Sequence, residues 1–131
     1  MPMGLRDVTS ILLSVYDDLS KGNIERMLNF FSEDAVLEWG PFVFKGKENV
    51  RKWSIDLRQM FPQLSFKLNE PRIQGNTASH SFVIGITAPN GRRGLIRVMA
   101  DYEFDNKKIK HAKIDILEGN LVVRKQELPS E

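Results

Sequence analysis

The chain contains no cysteine and only two histidines, His80 and His111, among its 131 residues. The absence of cysteine excludes disulfides, thiolate nucleophiles, iron–sulfur clusters and cysteine-ligated zinc. The two histidines stand far apart in the sequence, without the close spacing that is typical of histidine-based metal sites. We therefore expect neither a metal ion nor another cofactor.

Long apolar runs are also missing. No stretch approaches the ~18 consecutive apolar residues of a membrane span, and the N-terminal MPMGLRD lacks the basic and then apolar pattern of a secretory signal. These absences predict a cytoplasmic protein without a membrane partner. The net charge is +2, and Lys and Arg are spread along the chain, so nucleic acid is not an expected partner.

The composition that remains is typical of a folded domain, with 41% hydrophobic and 27% charged residues. A chain of this length predicts a single domain over residues 1–131 that is large enough to bury a core. We expect that core within about residues 8–118. Residues 126–131 have little apolar anchorage, so a frayed tail is predicted there.

Helical periodicity dominates the N-terminal half. Apolar residues recur every three or four positions over residues 8–19, 24–31 and 50–61, and this spacing predicts three amphipathic helices. Gly22 separates the first two helices, because glycine enters the left-handed C-cap without steric cost. Pro62 ends the third. A helical hairpin followed by a third helix is therefore expected.

Strand periodicity takes over between and after these helices. Residues 35–39 alternate with period two, and a short apolar piece follows at 42–44. Four longer extended runs, separated by turn sequences such as Asn90-Gly91, cover residues 64–72, 77–88, 93–104 and 108–123. Each long run has one apolar and one polar face. The pattern predicts an α+β fold in which the helices cover one side of the sheet.

Three segments together resemble the nuclear transport factor 2-like (NTF2-like) superfamily. They are GNIERMLNFFSEDAVLEW from Gly22 to Trp39, Lys45-Gly46-Lys47-Glu48 before the third helix, and NKKIKHAKID near the end. The closest similarity is to the SnoaL-like branch, which is related to ketosteroid isomerase. The resemblance implies a cone in which three N-terminal helices pack on a strongly curved, mainly antiparallel sheet. It also implies an apolar cavity inside the cone and a homodimer formed through the outer face of the sheet.

The catalytic positions of the isomerases carry over only with a displacement of one residue. Their general base and two hydrogen-bond donors fall on apolar residues of this chain: Trp39, Val15 and Ala100. Polar candidates stand one residue away from these positions: Glu38, Tyr16 and Asp101. A slip of one residue reverses the faces of a strand, so isomerase chemistry itself is not predicted. A bulge at Gly40 would turn Glu38 inward; otherwise Glu38 and Asp101 are expected on a solvated face.

His80 is the candidate that the residues themselves favour. It is the only titratable residue on the apolar face of its strand, and the resemblance implies that this face lines the cavity. We expect His80 to transfer protons with Tyr16 or Tyr102 as hydrogen-bond donor. The alternative is a neutral histidine held by a structural hydrogen bond. The candidate catalytic residues are His80, Tyr16, Glu38 and Asp101. The expected ligand-binding residues are Trp39, Trp53, Phe82, Val98, Ala100, Tyr102 and Ile114.

Two functions follow from these expectations. The first is binding of a small, largely apolar molecule, with cofactor-independent acid–base chemistry such as isomerisation, cyclisation, dehydration or hydrolysis. The alternative is a non-catalytic binding or dimerisation module whose cone is filled by its own side chains. An open cavity of several hundred cubic ångströms favours the first function, and a packed cone favours the second.

Overall fold

A computed structural model describes residues 4–120, with side chains described up to residue 117. Residues 126–131 and the end of the predicted strand 108–123 lie outside the described residues. The helices are α1 (Leu5–Lys21), α2 (Ile24–Leu28) and α3 (Lys47–Met60). The strands are β1 (Phe31–Trp39), β2 (Phe42–Lys45), β3 (Gln63–Leu68), β4 (Arg72–Gln74), β5 (Thr77–Thr87), β6 (Arg93–Asp105) and β7 (Lys108–Asn120).

The helical hairpin forms around Gly22 as predicted. Gly22 adopts φ 80° and its N–H bonds the carbonyl of Leu19, which ends α1 in the left-handed C-cap. The second helix is shorter than predicted, because Phe31 begins a strand instead of completing the helix. Phe31 lies beside Ile109 of β7 and is 3% exposed, so pairing with the sheet outweighs its helical spacing.

The strands form one sheet in the order β2-β1-β7-β6-β5-β3, with β4 pairing on β5 next to β3. Neighbouring strands run antiparallel except β1 and β7, which are parallel. The sheet is curved and unclosed, and the helices pack on its inner face. The predicted α+β cone is therefore confirmed. Within the described part of the chain, no helix is long and apolar enough to span a membrane.

One predicted strand is interrupted. The run 64–72 forms two strands, β3 and β4, which both pair with β5. Residues 69–71 form the connection between them. Pro71 has no N–H to give to a ladder, so the edge breaks where β5 carries His80 and Ser81.

The inner faces of the central strands form a packed core. Phe82, Val98, Ala100 and Ile114, which were expected to contact a ligand, are each at most 1% exposed. The Tyr16 ring packs 4.8 Å from the ring of Phe82. These four expected contact residues therefore lie in the packed interior, where side chains of the chain itself surround them.

Candidate functional site

Three side chains and one carbonyl form a continuous chain of hydrogen bonds through the cone. The Tyr16 and Tyr102 hydroxyls lie 2.5 Å apart, and the Tyr102 hydroxyl lies 2.8 Å from His80 Nε2. His80 Nδ1 lies 3.3 Å from the carbonyl oxygen of Asn69. Tyr16, His80 and Tyr102 are between 3% and 5% exposed, so their polar groups depend on one another for hydrogen bonds.

Strand alternation brings two of these groups together. His80 on β5 pairs in register with Ala100, and Tyr102 follows two residues later on β6, where it shares the same inner face. Tyr16 reaches this face from α1 and contacts Phe66 as well as Phe82, with ring centroids 5.0 Å apart in the Phe66 pair. The structure therefore unites Tyr16, His80 and Tyr102; the proton-transfer role of His80, with Tyr16 or Tyr102 as donor, stays a prediction.

Burial keeps all three side chains uncharged near neutral pH. Desolvation lowers the pKa of the His80 imidazole below its usual value, and the hydrogen bond to Asn69 offsets this only in part. Desolvation also raises the pKa of Tyr16 and of Tyr102 well above the usual phenol value. A neutral imidazole between a hydroxyl and a carbonyl has one donor nitrogen and one acceptor nitrogen.

A cleft of about 820 Å³ opens between the N-terminal half of α1 and the connection from β3 to β4. Its apolar wall consists of Leu5, Leu12, Leu13, Leu68 and Pro71. Its polar lining groups are Arg6, Thr9, Ser10, Ser14, Asn69, Glu70 and His80. Of the lining residues only Leu12, Pro71 and His80 are buried, so His80 is the titratable group at the floor of the cleft.

Nδ1 is the His80 ring nitrogen whose hydrogen-bond partner belongs to another lining residue of this cleft. Asn69, which lies 3.3 Å from Nδ1, also lines the cleft. The opposite nitrogen, Nε2, contacts the hydroxyl of buried Tyr102. A molecule in the cleft would therefore contact the Nδ1 side of the ring, while Nε2 bonds to Tyr102 in the interior.

The other two catalytic candidates lie on the opposite face of the sheet. Pairing of β1 with β7 is regular from Val36 to Trp39, so Glu38 keeps its outward direction. Glu38 Oε2 lies 2.5 Å from Nε2 of His111, which shares this outer face. Asp101 is exposed and pairs in register with Ser79 and Lys113. The structure thus does not bring Glu38 or Asp101 to the cleft or to His80.

The two expected tryptophan contacts form a separate pair. Trp39 and Trp53 lie with ring centroids 5.6 Å apart at an angle of 57°. Trp53 is 7% exposed and Trp39 is half-buried. Among the described residues, the buried indole N–H of Trp53 has no hydrogen-bond partner. The pair belongs to the packing of α3 on β1, and its role in ligand binding stays a prediction.

Several residues of the site were not predicted. Asn69 and Ser81 have no distinguishing sequence pattern, and the pattern predicts strand where the structure has the connection 69–71. The signal that was available is Pro71, because a proline inside a strand pattern argues for an edge or a break. Among residues 4–117, no group of three or more metal-ligating side chains is placed to hold an ion. The predicted homodimer through the outer face stays a prediction.

Comparison with known proteins identifies the family. Residues 13–112 match the family model of the SnoaL-like domain. A search of curated proteins finds no significant match. Among solved structures, an NTF2-like protein from Anabaena variabilis aligns with TM-score 0.77 at 17% identity, over 87% of this chain and 89% of that one.

Two further solved structures have the same fold. An LEH-like epoxide hydrolase from M. tuberculosis aligns with TM-score 0.74 at 12% identity, over 85% of this chain and 83% of that one. TerC, co-crystallised with polyporic acid, aligns with TM-score 0.75 at 12% identity, over 84% of this chain and 91% of that one. At these identities the likeness shows the fold alone. Together with the family match, it shows that the chain belongs to the SnoaL-like domain family of the NTF2-like superfamily.

Proposed function

We propose that this protein binds a small, largely apolar molecule in the cleft beside α1 and uses His80 as its acid–base group. The observation that carries the proposal is the hydrogen-bond chain from Tyr16 through Tyr102 to His80, which ends at the floor of that cleft. The chemistry would be cofactor-independent, in the class of isomerisation, cyclisation, dehydration or hydrolysis.

The dimensions and lining of the cleft support a small-molecule ligand. Its volume of about 820 Å³ lies within the roughly 300–1,000 Å³ of known ligand sites. Leucine side chains supply most of its apolar wall, and Leu13 is 53% exposed, so a bound molecule would remove apolar surface from water. Among proteins of this fold, TerC was crystallised with polyporic acid, and another is named an epoxide hydrolase.

The hydrogen-bond chain supports proton transfer at the imidazole. The Tyr102 hydroxyl can donate to Nε2 while Nδ1, the ring nitrogen nearer the cleft, donates its hydrogen to a ligand oxygen. The chain holds the ring in this orientation before a ligand binds, which is a form of electrostatic preorganisation. Burial makes the uncharged ring the resting form, and its Nδ1–H can act as a general acid towards charge that develops on that oxygen.

Deuterium exchange tests the proposal with a defined probe. 2-Tetralone is a small bicyclic ketone whose α-protons exchange with D2O when an acid–base group assists enolisation. We expect the wild-type protein to accelerate this exchange, and we expect His80→Gln to lose roughly 100-fold or more of the acceleration. His111→Gln is the matched control, because it removes the other histidine from the opposite face of the sheet.

Binding of 2-tetralone in the cleft is tested on the same samples by NMR chemical shifts of the backbone amides. 2-Tetralone should shift Thr9, Leu13 and Asn69, which line the cleft. Shifts confined to other surfaces would contradict the cleft as the binding site. Equal exchange rates for wild type and His80→Gln would contradict the role of His80.

The second candidate function is a non-catalytic module, and the packed interior favours it. Phe82, Val98 and Ala100 are almost completely buried, as the alternative with a filled cone requires. Under this alternative the polar chain only satisfies buried hydrogen bonds. It predicts neither shifts of the cleft amides nor accelerated exchange with 2-tetralone.

A further inference from the structure

We infer that Asn69, tethered to Ser81, is a positioning residue that fixes His80 as the tautomer with its proton on Nδ1. The cleft therefore presents an N–H donor, and its ligand is a molecule with an acceptor oxygen. The second statement rests on the proposed function, whereas the first concerns the protein without any ligand.

The Asn69 carbonyl sets the direction of the whole chain. A carbonyl oxygen only accepts, so its bond to His80 requires the hydrogen on Nδ1. Nε2 is then the acceptor for the Tyr102 hydroxyl, and Tyr102 accepts from Tyr16. The opposite tautomer would set the Nδ1 lone pair against the carbonyl oxygen and turn the Tyr16 hydrogen out of the chain. One tautomer satisfies all three bonds, whereas the other loses the bond to Asn69 and leaves the Tyr16 hydrogen without a partner in the chain.

Ser81 holds the carbonyl in place through two bonds. The backbone N–H of Asn69 donates to the Ser81 carbonyl at 3.1 Å. The Asn69 side-chain Nδ2 donates to Ser81 Oγ at 2.8 Å. Asn69 is itself exposed and lies just beyond the end of β3, so one backbone bond and the side-chain bond hold it in place of a continuing strand. The side-chain tether replaces the restraint that a continuous strand would supply.

The ligand class follows from which nitrogen faces the cleft. Asn69 and His80 both line it, and their shared bond involves Nδ1. At 3.3 Å this bond is long, so a ligand oxygen can share the N–H or take it over. A carbonyl, ether or hydroxyl oxygen gains this bond. A hydrocarbon of the same shape gains only apolar contact.

The tautomer is measured by ¹⁵N spectroscopy on the full chain labelled at histidine, with His80→Gln assigning the two ring systems. We expect Nδ1 of His80 to give a protonated-type shift and Nε2 an unprotonated-type shift above the pKa of the ring. Asn69→Ala and Ser81→Ala each remove the side-chain tether and should move both shifts toward a mixture of tautomers. Ser81→Thr keeps the hydroxyl and should restore the wild-type pattern.

A matched serine provides the control. Ser79→Ala removes a hydroxyl from the same face of β5 without touching the tether, and should leave the His80 shifts unchanged. A wild-type ring with its proton on Nε2 would overturn the inference. Wild-type shifts in both Asn69→Ala and Ser81→Ala would show that the tether does not position the ring.

The ligand class is tested with two probes of one skeleton. 2-Tetralone carries a carbonyl oxygen and tetralin does not. We expect 2-tetralone to bind roughly three- to tenfold more tightly, the value of one net hydrogen bond. Equal affinities would overturn the ligand class, as would failure of both probes to shift the cleft amides. Failure of both probes would also contradict the proposed function, yet the tautomer result would stand independently.

Discussion

The two histidines of this chain lie on opposite faces of one sheet, and they differ in burial and in hydrogen-bond partners. His80 is 3% exposed on the inner face and bonds to a tyrosine hydroxyl and a backbone carbonyl. The His111 side chain is 40% exposed on the outer face, where it bonds to the carboxylate of Glu38. Strand alternation thus decides whether a histidine is a member of a buried hydrogen-bond chain or a partly exposed partner of a carboxylate.

The difference in environment predicts a difference in energy. A buried hydroxyl or imidazole that loses its partner carries a full desolvation penalty. When a half-exposed pair is broken, water hydrates both groups, so its loss costs little. Changes in the His80 chain should therefore alter stability more than changes in the Glu38–His111 pair.

The largest effect is expected for Tyr102→Phe. This change removes the central hydroxyl and leaves both His80 Nε2 and the Tyr16 hydroxyl without their partner. We expect the free energy of unfolding to fall by about 1–3 kcal/mol. Denaturant unfolding measures it, and an effect no larger than that of Glu38→Gln would contradict the ranking of the two faces.

Tyr16→Phe should cost less. Tyr16 is the terminal member of the chain, so its removal takes away one bond while Tyr102 still donates to His80. We expect a loss of about 0.5–1.5 kcal/mol in the same measurement. A loss greater than that of Tyr102→Phe would mean that Tyr16, and not Tyr102, is the central group.

The pH dependence of stability separates the two histidines. Burial lowers the pKa of His80 in the folded protein below its unfolded value of about 6.5. Between these values the unfolded chain binds the extra proton, so stability falls as the pH drops from about 6.5 to the folded pKa. The stability that the uncharged His80 ring contributes is fully present above about pH 6.5. Below that pH the free energy of unfolding falls by at most about 1.4 kcal/mol per pH unit.

Unfolding free energies at several pH values test this dependence. His80→Gln should flatten the curve in that window, whereas His111→Gln should retain the part that depends on His80. Identical curves for wild type and His80→Gln would be the contrary result.

The smallest effect is expected on the outer face. A double-mutant cycle of Glu38→Gln and His111→Gln should give a coupling of about 0.2–1 kcal/mol. Both side chains are partly exposed, so water can replace the lost bond in either single variant. A coupling above about 2 kcal/mol would remove the contrast between the two faces.

Much of the fold was accessible from local pattern. Gly22, the apolar spacing of α1 and the period-two alternation of β5 are short-range signals, and the structure agrees with each of them. The prediction of helix at Phe31 was wrong. Its spacing fits the preceding helix, but contact with Ile109 in β7 places it in a strand. That contact joins residues far apart in sequence, and no local pattern contains it.

The candidate site also has a part that local pattern predicts and a part that it does not. Strand alternation predicts that His80 points inward and that Glu38 and Asp101 point outward, and the structure has the same directions. No sequence pattern predicts Asn69 or Ser81, because their contact arises from a break in the edge strand opposite β5.

The α+β fold, the helical hairpin and the face on which each histidine lies follow from spacing along the chain. The meeting of Tyr16, Tyr102, His80 and Asn69 in one chain of hydrogen bonds beside a cleft depends on the tertiary structure. Hydrogen bonds require contact within about 3.5 Å, and no spacing in the sequence specifies such contacts. Helix packing and sheet curvature, rather than residue type, bring groups from four parts of the chain within that distance.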